Sequence, residues 1–363
     1  MLNTLLRIDV TTVGFLAGLA VLSVLVVVAL RLLRFPRPGV VVVVLALLVV
    51  NTGALANSYY DYYRDLGYVL GDAPGDEVAL DELMARTAAP DQGEIAPFPI
   101  PARASRFDAR EALVWVPPAW FARPRPQLPV VLLLHGTPGS PQDWIDGGRA
   151  ADTANAFAAA HGGRAPILVL PDVNGSLAAD SECVDGPAGK VETYLTEDLV
   201  PAVQQTFRTL DPGPAWAVAG LSEGGSCAIM LALRHPTVFG TFGDYAGLAG
   251  PRSGDTNATG STVADLFDGS RAAFEEHEPA AVLAIRRFPG LGGWFEAGSA
   301  DEQPLVAARR LAPAARAAGI DVCERVIPDG GHDFDLFSTA FADSLPWIAG
   351  RTGAFPPGPC PGG

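Results

Sequence analysis

The sequence predicts an α/β fold with a mostly parallel sheet, preceded by an N-terminal hairpin of two transmembrane helices. Three observations predict it. The apolar excess is concentrated before about residue 57, short Val/Ile/Ala-rich runs alternate with helical patterns beyond residue 105, and one such run ends in Gly-x-Ser-x-Gly.

No charge occurs from Thr12 to Leu30, and a second uncharged run extends from Pro38 to Tyr60. Each approaches the ~20 residues that a helix needs to cross ~30 Å of hydrocarbon. Arg31, Arg34 and Arg37 lie in the turn between them, which places that turn on the cytoplasmic side and both flanks outside. Tyr59, Tyr60, Tyr62 and Tyr63 suit an interfacial belt. Residues 1–60 are therefore expected to be two spans of the cell membrane. Ala54-Leu55-Ala56 also has the small-x-small form of a signal peptidase site, so release after Ala56 is the alternative. Either way, the chain beyond residue 60 is expected to be exported.

Residues 61–105 read as an extracytoplasmic linker. Pro90, Pro97, Pro99 and Pro101 stiffen it, and a short helix is expected over Glu77–Ala85. A catalytic domain is expected over 106–350, with strands at Ala112–Val116, Pro129–His135, Pro166–Leu170, Ala215–Gly220, Phe242–Gly247, Trp294–Ala297 and Val322–Ile327. The Pro/Gly-rich end, 351–363, reads as a disordered tail.

Ala215–Gly220 runs into Gly220-Leu-Ser222-Glu-Gly224 and then into a helical stretch, the context of a nucleophile elbow in an α/β-hydrolase fold. A serine hydroxyl needs a base, which in this fold comes last in chain order. Of five histidines only His332 fits, in the loop after the last expected strand. His135 reads as a brace of the turn after an early strand, and His161, His235 and His277 as surface or capping residues. The third member is a carboxylate after the penultimate strand, to fix the imidazole tautomer. Asp301 is preferred, Glu302 is the alternative, and Glu296 ranks third because it lies within the strand.

An oxyanion hole would take two backbone N–H groups, from Thr137 and from Glu223 next to the nucleophile. A carboxylate at Glu223 is unfavourable beside a forming oxyanion unless it points away or is paired. Cys183 and Cys227 are expected to reach the same sheet edge and form a disulfide. Cys323 and Cys360 are not expected to pair, because Cys360 sits in the tail. The four cysteines are too scattered for a zinc motif, and neither metal nor other cofactor is expected. A net charge of −15 and a pI near 4.7 exclude a nucleic-acid partner.

Arg110–Pro118, Leu132–Gly136, Ser181–Pro187 with Glu192–Leu195, Gly220–Ala228 and Gly330–Phe334 together resemble the putative esterase family that includes esterase D-type enzymes and secreted mycolyltransferases. The hairpin, with Asn57–Tyr60 and Leu66–Gly71, looks like its membrane-tethered members. The resemblance covers about Arg106 to Trp347 and implies Ser222 as nucleophile and His332 as base. Glu223 departs from it, since many members carry Met or Gln there. Mycolyltransferase-like members take a Glu from along the helix after the strand, which keeps Glu302 open. The function expected is a serine carboxylesterase acting on a small-molecule or lipid ester through an acyl-Ser222 intermediate. The alternatives are an acyltransferase acting on envelope sugars and a catalytically silent binding module. Pro251–Pro289 is expected to be a lid or insert, with Asp265–Phe267 and Phe274 lining the pocket.

Overall fold

The computed structural model describes residues 6–70 and 77–360 of the chain. These residues divide into two compact units, 6–70 with 333–335 and the remainder, each described by itself.

In the first unit, helices α1 (Val13–Leu32) and α2 (Arg37–Tyr60) are long and apolar enough to cross a membrane. Their apolar side chains are exposed on all faces, with no buried residue in α1 and only Val40 in α2. A soluble helix would bury one stripe. The two helices are tied by Asn51 Nδ2 donating to Ser23 Oγ at 2.9 Å.

The second unit is built on an eight-stranded sheet. Its strands are β1 (Glu94–Phe98), β2 (Ala112–Val116), β3 (Val130–Leu134), β4 (Ile167–Leu170), β7 (Gly213–Leu221), β8 (Phe239–Tyr245), β9 (Gly292–Gly298) and β10 (Asp321–Ile327). The short hairpin β5 (Asp185–Gly186) and β6 (Gly189–Lys190) stands apart. The sheet order is β1-β2-β4-β3-β7-β8-β9-β10, parallel from β4 onward, with β2 antiparallel to both neighbours. The central strand Val-Val-Leu-Leu-Leu of β3 is buried throughout, as a strand covered by helices on both faces must be. Helices α3 (Ala150–Ala160), α4 (Val200–Phe207), α5 (Glu223–Arg234), α6 (Glu302–Ala317) and α7 (Phe334–Arg351) are the longer crossovers and ends.

Three expectations change. Residues 94–98 of the linker form β1, whose Pro97 is tolerated because β1 is an edge strand with one side of its backbone unpaired. The short helix there spans Leu80–Ala85 and buries Leu83. The end of the chain is fastened as far as it is described: Cys360 is bonded to Cys323 in β10, and Phe355 packs edge-on against Phe157 of α3. Residues 361–363 lie outside the described residues.

Between β8 and β9, the insert forms short helices at Thr262–Phe267, Arg271–His277 and Pro279–Ile285. Leu266, Phe267 and Phe274 are buried in the hydrophobic core and so pack the insert rather than line an open pocket. Arg252 is almost fully buried and bonds Glu278 through both guanidinium ends, at 2.7 and 3.0 Å.

Candidate active site

Parallel strands deliver their C-terminal loops to one edge, and the candidate residues all lie there. Register aligns Leu134 of β3 with Gly220 of β7, Leu221 with Tyr245 of β8, and Gly298 of β9 with Ile327 of β10. The loops after β3, β7, β9 and β10 carry Thr137, Ser222, Asp301 and His332.

The turn at Ser222 is sharp. Ser222 has φ 55° and ψ −122°, a region that costs a non-glycine residue roughly 1–3 kcal/mol. The flanking glycines are a steric requirement: a Cβ on Gly220 would sit 2.2 Å from the Gly224 carbonyl oxygen, and one on Gly224 would sit 2.2 Å from that of Leu134. Ser222 N donates to Tyr245 O at 2.9 Å, anchoring the turn to β8.

Ser222 Oγ lies 2.9 Å from His332 Nε2, and His332 Nδ1 lies 2.5 Å from Asp301 Oδ2. The ring packs edge-on against Phe337, with centroids 5.2 Å apart. Asp301 is mostly buried while the imidazole is partly open to solvent. Glu302 begins α6 instead of meeting the ring. Glu296 is buried inside β9, where Trp294 Nε1 donates to it at 2.7 Å, and burial raises its carboxyl.

His135 is fully buried, its Nδ1 2.8 Å from Gly136 O and its Nε2 3.1 Å from both Asp172 Oδ1 and Val173 N. Burial alone would raise Asp172, but bonds from His135, Arg110 and Asn174 outweigh it and hold the carboxyl well below the usual range. His161 bonds Phe157 O at 2.7 Å. His235 caps the C-terminal end of α5, as expected of a capping residue, but it and His277 are also drawn inward, each bonding buried Glu192, at 2.6 and 2.9 Å, beside Arg234. Glu192 recruits them because a carboxylate taken from water needs several donors.

Beneath Ser222 lies a polar network that sequence reasoning only half anticipated. The Glu223 side chain is buried and paired: Oε1 accepts from Glu182 N at 3.0 Å, and Oε2 meets Asn174 Nδ2 at 2.8 Å and Thr137 Oγ1. Burial raises Glu223, partly offset by those bonds. Burial, then Glu223 and Asp180, push Glu182 well above the usual range, and burial with repulsion from Glu223 and Asp255 pushes Asp180 up to about 7. Asn174 and Asp180 lie outside every motif, and Glu182 falls within the Ser181–Pro187 segment of the resemblance with no role attached to it. A polar loop next to a lone carboxylate at position 223 was the only available hint. Cys183, next to Glu182, is bonded to Cys227 of α5, with Cα atoms 5.6 Å apart.

The family model described as "Putative esterase" matches residues 108–348. An uncharacterized protein of Corynebacterium glutamicum is 32% identical over 358 residues, covering 94% of this chain and 82% of that protein. A ferulic acid esterase structure matches with a TM-score of 0.59 and 21% identity, over 72% of this chain and 99% of that one. S-formylglutathione hydrolase from Agrobacterium tumefaciens matches with a TM-score of 0.59 and 21% identity, over 74% and 99%. At such identities the structures speak for the fold. The family model and the fold converge, and the chain belongs to the Putative esterase family, with an α/β-hydrolase-like esterase fold.

Proposed function

We propose that this protein is a membrane-anchored serine carboxylesterase working outside the cytoplasmic membrane through an acyl-Ser222 intermediate. The observation that carries the reading is the unbroken chain from Ser222 Oγ through His332 to Asp301. His332 Nε2 takes the hydroxyl proton as Oγ attacks the ester carbonyl, and Asp301 holds the other nitrogen as N–H and stabilises the imidazolium. The tetrahedral oxyanion is met by the N–H groups of Thr137 and Glu223. Among the described residues neither of these amides has a backbone acceptor, which leaves both available. His332 then returns the proton to the leaving alcohol, and water, activated by the same base, releases the acid.

The location rests on the two apolar helices, on Arg31, Arg34 and Arg37 in the turn between them, and on the disulfides Cys183–Cys227 and Cys323–Cys360, which suit an oxidising compartment. A fluorophosphonate probe should label the wild type and leave Ser222→Ala unlabelled. Turnover of a p-nitrophenyl ester should fall by roughly 10⁶ in that variant. Labelling that persists at another serine would refute the assignment.

A further inference from the structure

The two proposed oxyanion donors are also linked through their side chains, and the hydrogens in that link can be counted. Thr137 Oγ1 carries one hydrogen. Around it stand Ala179 O at 3.0 Å, which only accepts, Asn174 Nδ2 at 2.7 Å, which only donates, and Glu223 Oε2. An ionised Glu223 would compete with Ala179 O for that single hydrogen. A proton on Oε2 completes the set: the carboxyl donates to Thr137, Thr137 donates to Ala179 O, and Asn174 donates to Thr137 and Glu223. Glu223 Oε1 keeps the Glu182 amide.

Building on the acyl-Ser222 reading, we propose that Glu223 is a positioning residue that works as a neutral carboxylic acid, its O–H clamping Thr137 so that the two oxyanion N–H groups converge on one point. The clamp closes around the nucleophile, because the Gly136 position preceding Thr137 lies so near that a Cβ there would be 2.9 Å from Ser222 Cβ. Neutrality has a second effect. A carboxylate here would put a negative charge directly behind the oxyanion in a buried site, where charges are poorly screened.

The groups around Glu223 are Glu182 and Asp180 from the loop before β5, His135 from the loop after β3, and, on the far side of the nucleophile, His332 and Asp301. Arg252 acts on Glu182, and its guanidinium is engaged by Glu278. Burial favours the neutral form of Glu223 and outweighs the bonds from Thr137, Asn174 and the Glu182 amide and the influence of His135, all of which oppose it. As pH rises and Glu223 ionises, kcat should fall with KM little changed, because the oxyanion exists only in the transition state.

The test uses the purified full-length chain. Infrared difference spectra, wild type minus Glu223→Gln, should contain the C=O stretch of a protonated carboxylic acid at neutral pH. This readout does not depend on turnover, so it separates failure of the clamp from failure of the hydrolase reading, which fluorophosphonate labelling reports. Glu223→Leu should lower kcat at least tenfold, towards the ~10²–10³ of a lost oxyanion donor. Glu223→Gln supplies an N–H for Thr137 and an acceptor for the Glu182 amide, and loses only the second bond from Asn174. It should recover most of what the Leu variant loses and should lack the alkaline limb of the wild type, whereas Glu182→Gln should keep that limb. An absent acid band, a limb that survives in Glu223→Gln, a limb lost in Glu182→Gln instead, or a Gln variant as impaired as the Leu variant would each overturn the proposal.

Discussion

His332 Nδ1 lies 2.5 Å from Asp301 Oδ2, so the ring is held by the residue that precedes α6 and not by Glu302, the first residue inside it. The position just before the helix lets the carboxyl point back across the strand tips, whereas a side chain within the helix is carried along its surface. Asp301→Asn should therefore lower kcat by roughly 10⁴, as loss of tautomer control does in triads of this kind. Glu302→Gln should change kcat less than about threefold by the same reasoning. Steady-state kinetics on both variants decides the matter, and a larger effect at 302 would reverse the assignment.

Both disulfides should be recoverable from exported protein by non-reducing peptide mapping, as Cys183–Cys227 and Cys323–Cys360 pairs. The first closes a span of 44 residues, which in the chain-entropy account is worth about 4 kcal/mol. The double variant Cys183→Ser, Cys227→Ser should lower the denaturant midpoint accordingly, unless the unfolded chain retains structure. Free alkylated thiols at 183 and 227 in the wild type would contradict the pairing.

Asp244 is buried at the end of β8, where Gly247 N donates to it at 2.8 Å, and burial pushes its carboxyl up to about 7. Because the folded value lies above the unfolded one of 3.8, the unfolded chain binds fewer protons between these limits. Stability from this group is intact below pH 3.8 and is lost as pH rises through about 7. Asp244→Asn should flatten that fall, improving stability relative to wild type on the order of 1–3 kcal/mol more at pH ~8 than at pH ~5. Urea unfolding of both proteins at the two pH values measures the difference, and an equal offset at both would rule the titration out.

Protease added to intact spheroplasts should digest residues beyond about Tyr60 and spare the turn containing Arg31, Arg34 and Arg37. Protection of the catalytic domain would reverse the orientation. A soluble product beginning at Asn57 would instead point to cleavage after Ala56.

The sequence alone determined the parts of this protein that depend on local pattern. Uncharged runs of span length marked α1 and α2, fully apolar runs marked β3 and β4, and the glycines around Ser222 marked a turn too tight for side chains. Ser222, His332 and Asp301 were legible as candidates because strand order and loop position alone nominate them. β1 was not legible, because Pro97 argues against a strand until the sheet makes Glu94–Phe98 an edge. Only the tertiary structure decided how Cys360 returns to Cys323, why His235 and His277 gather on Glu192, and how Glu223 is satisfied by Thr137, Asn174 and the Glu182 amide. These arrangements join residues far apart in the chain. They are set by the cost of leaving a buried polar group without a partner, and no local pattern of residues records where that partner will come from.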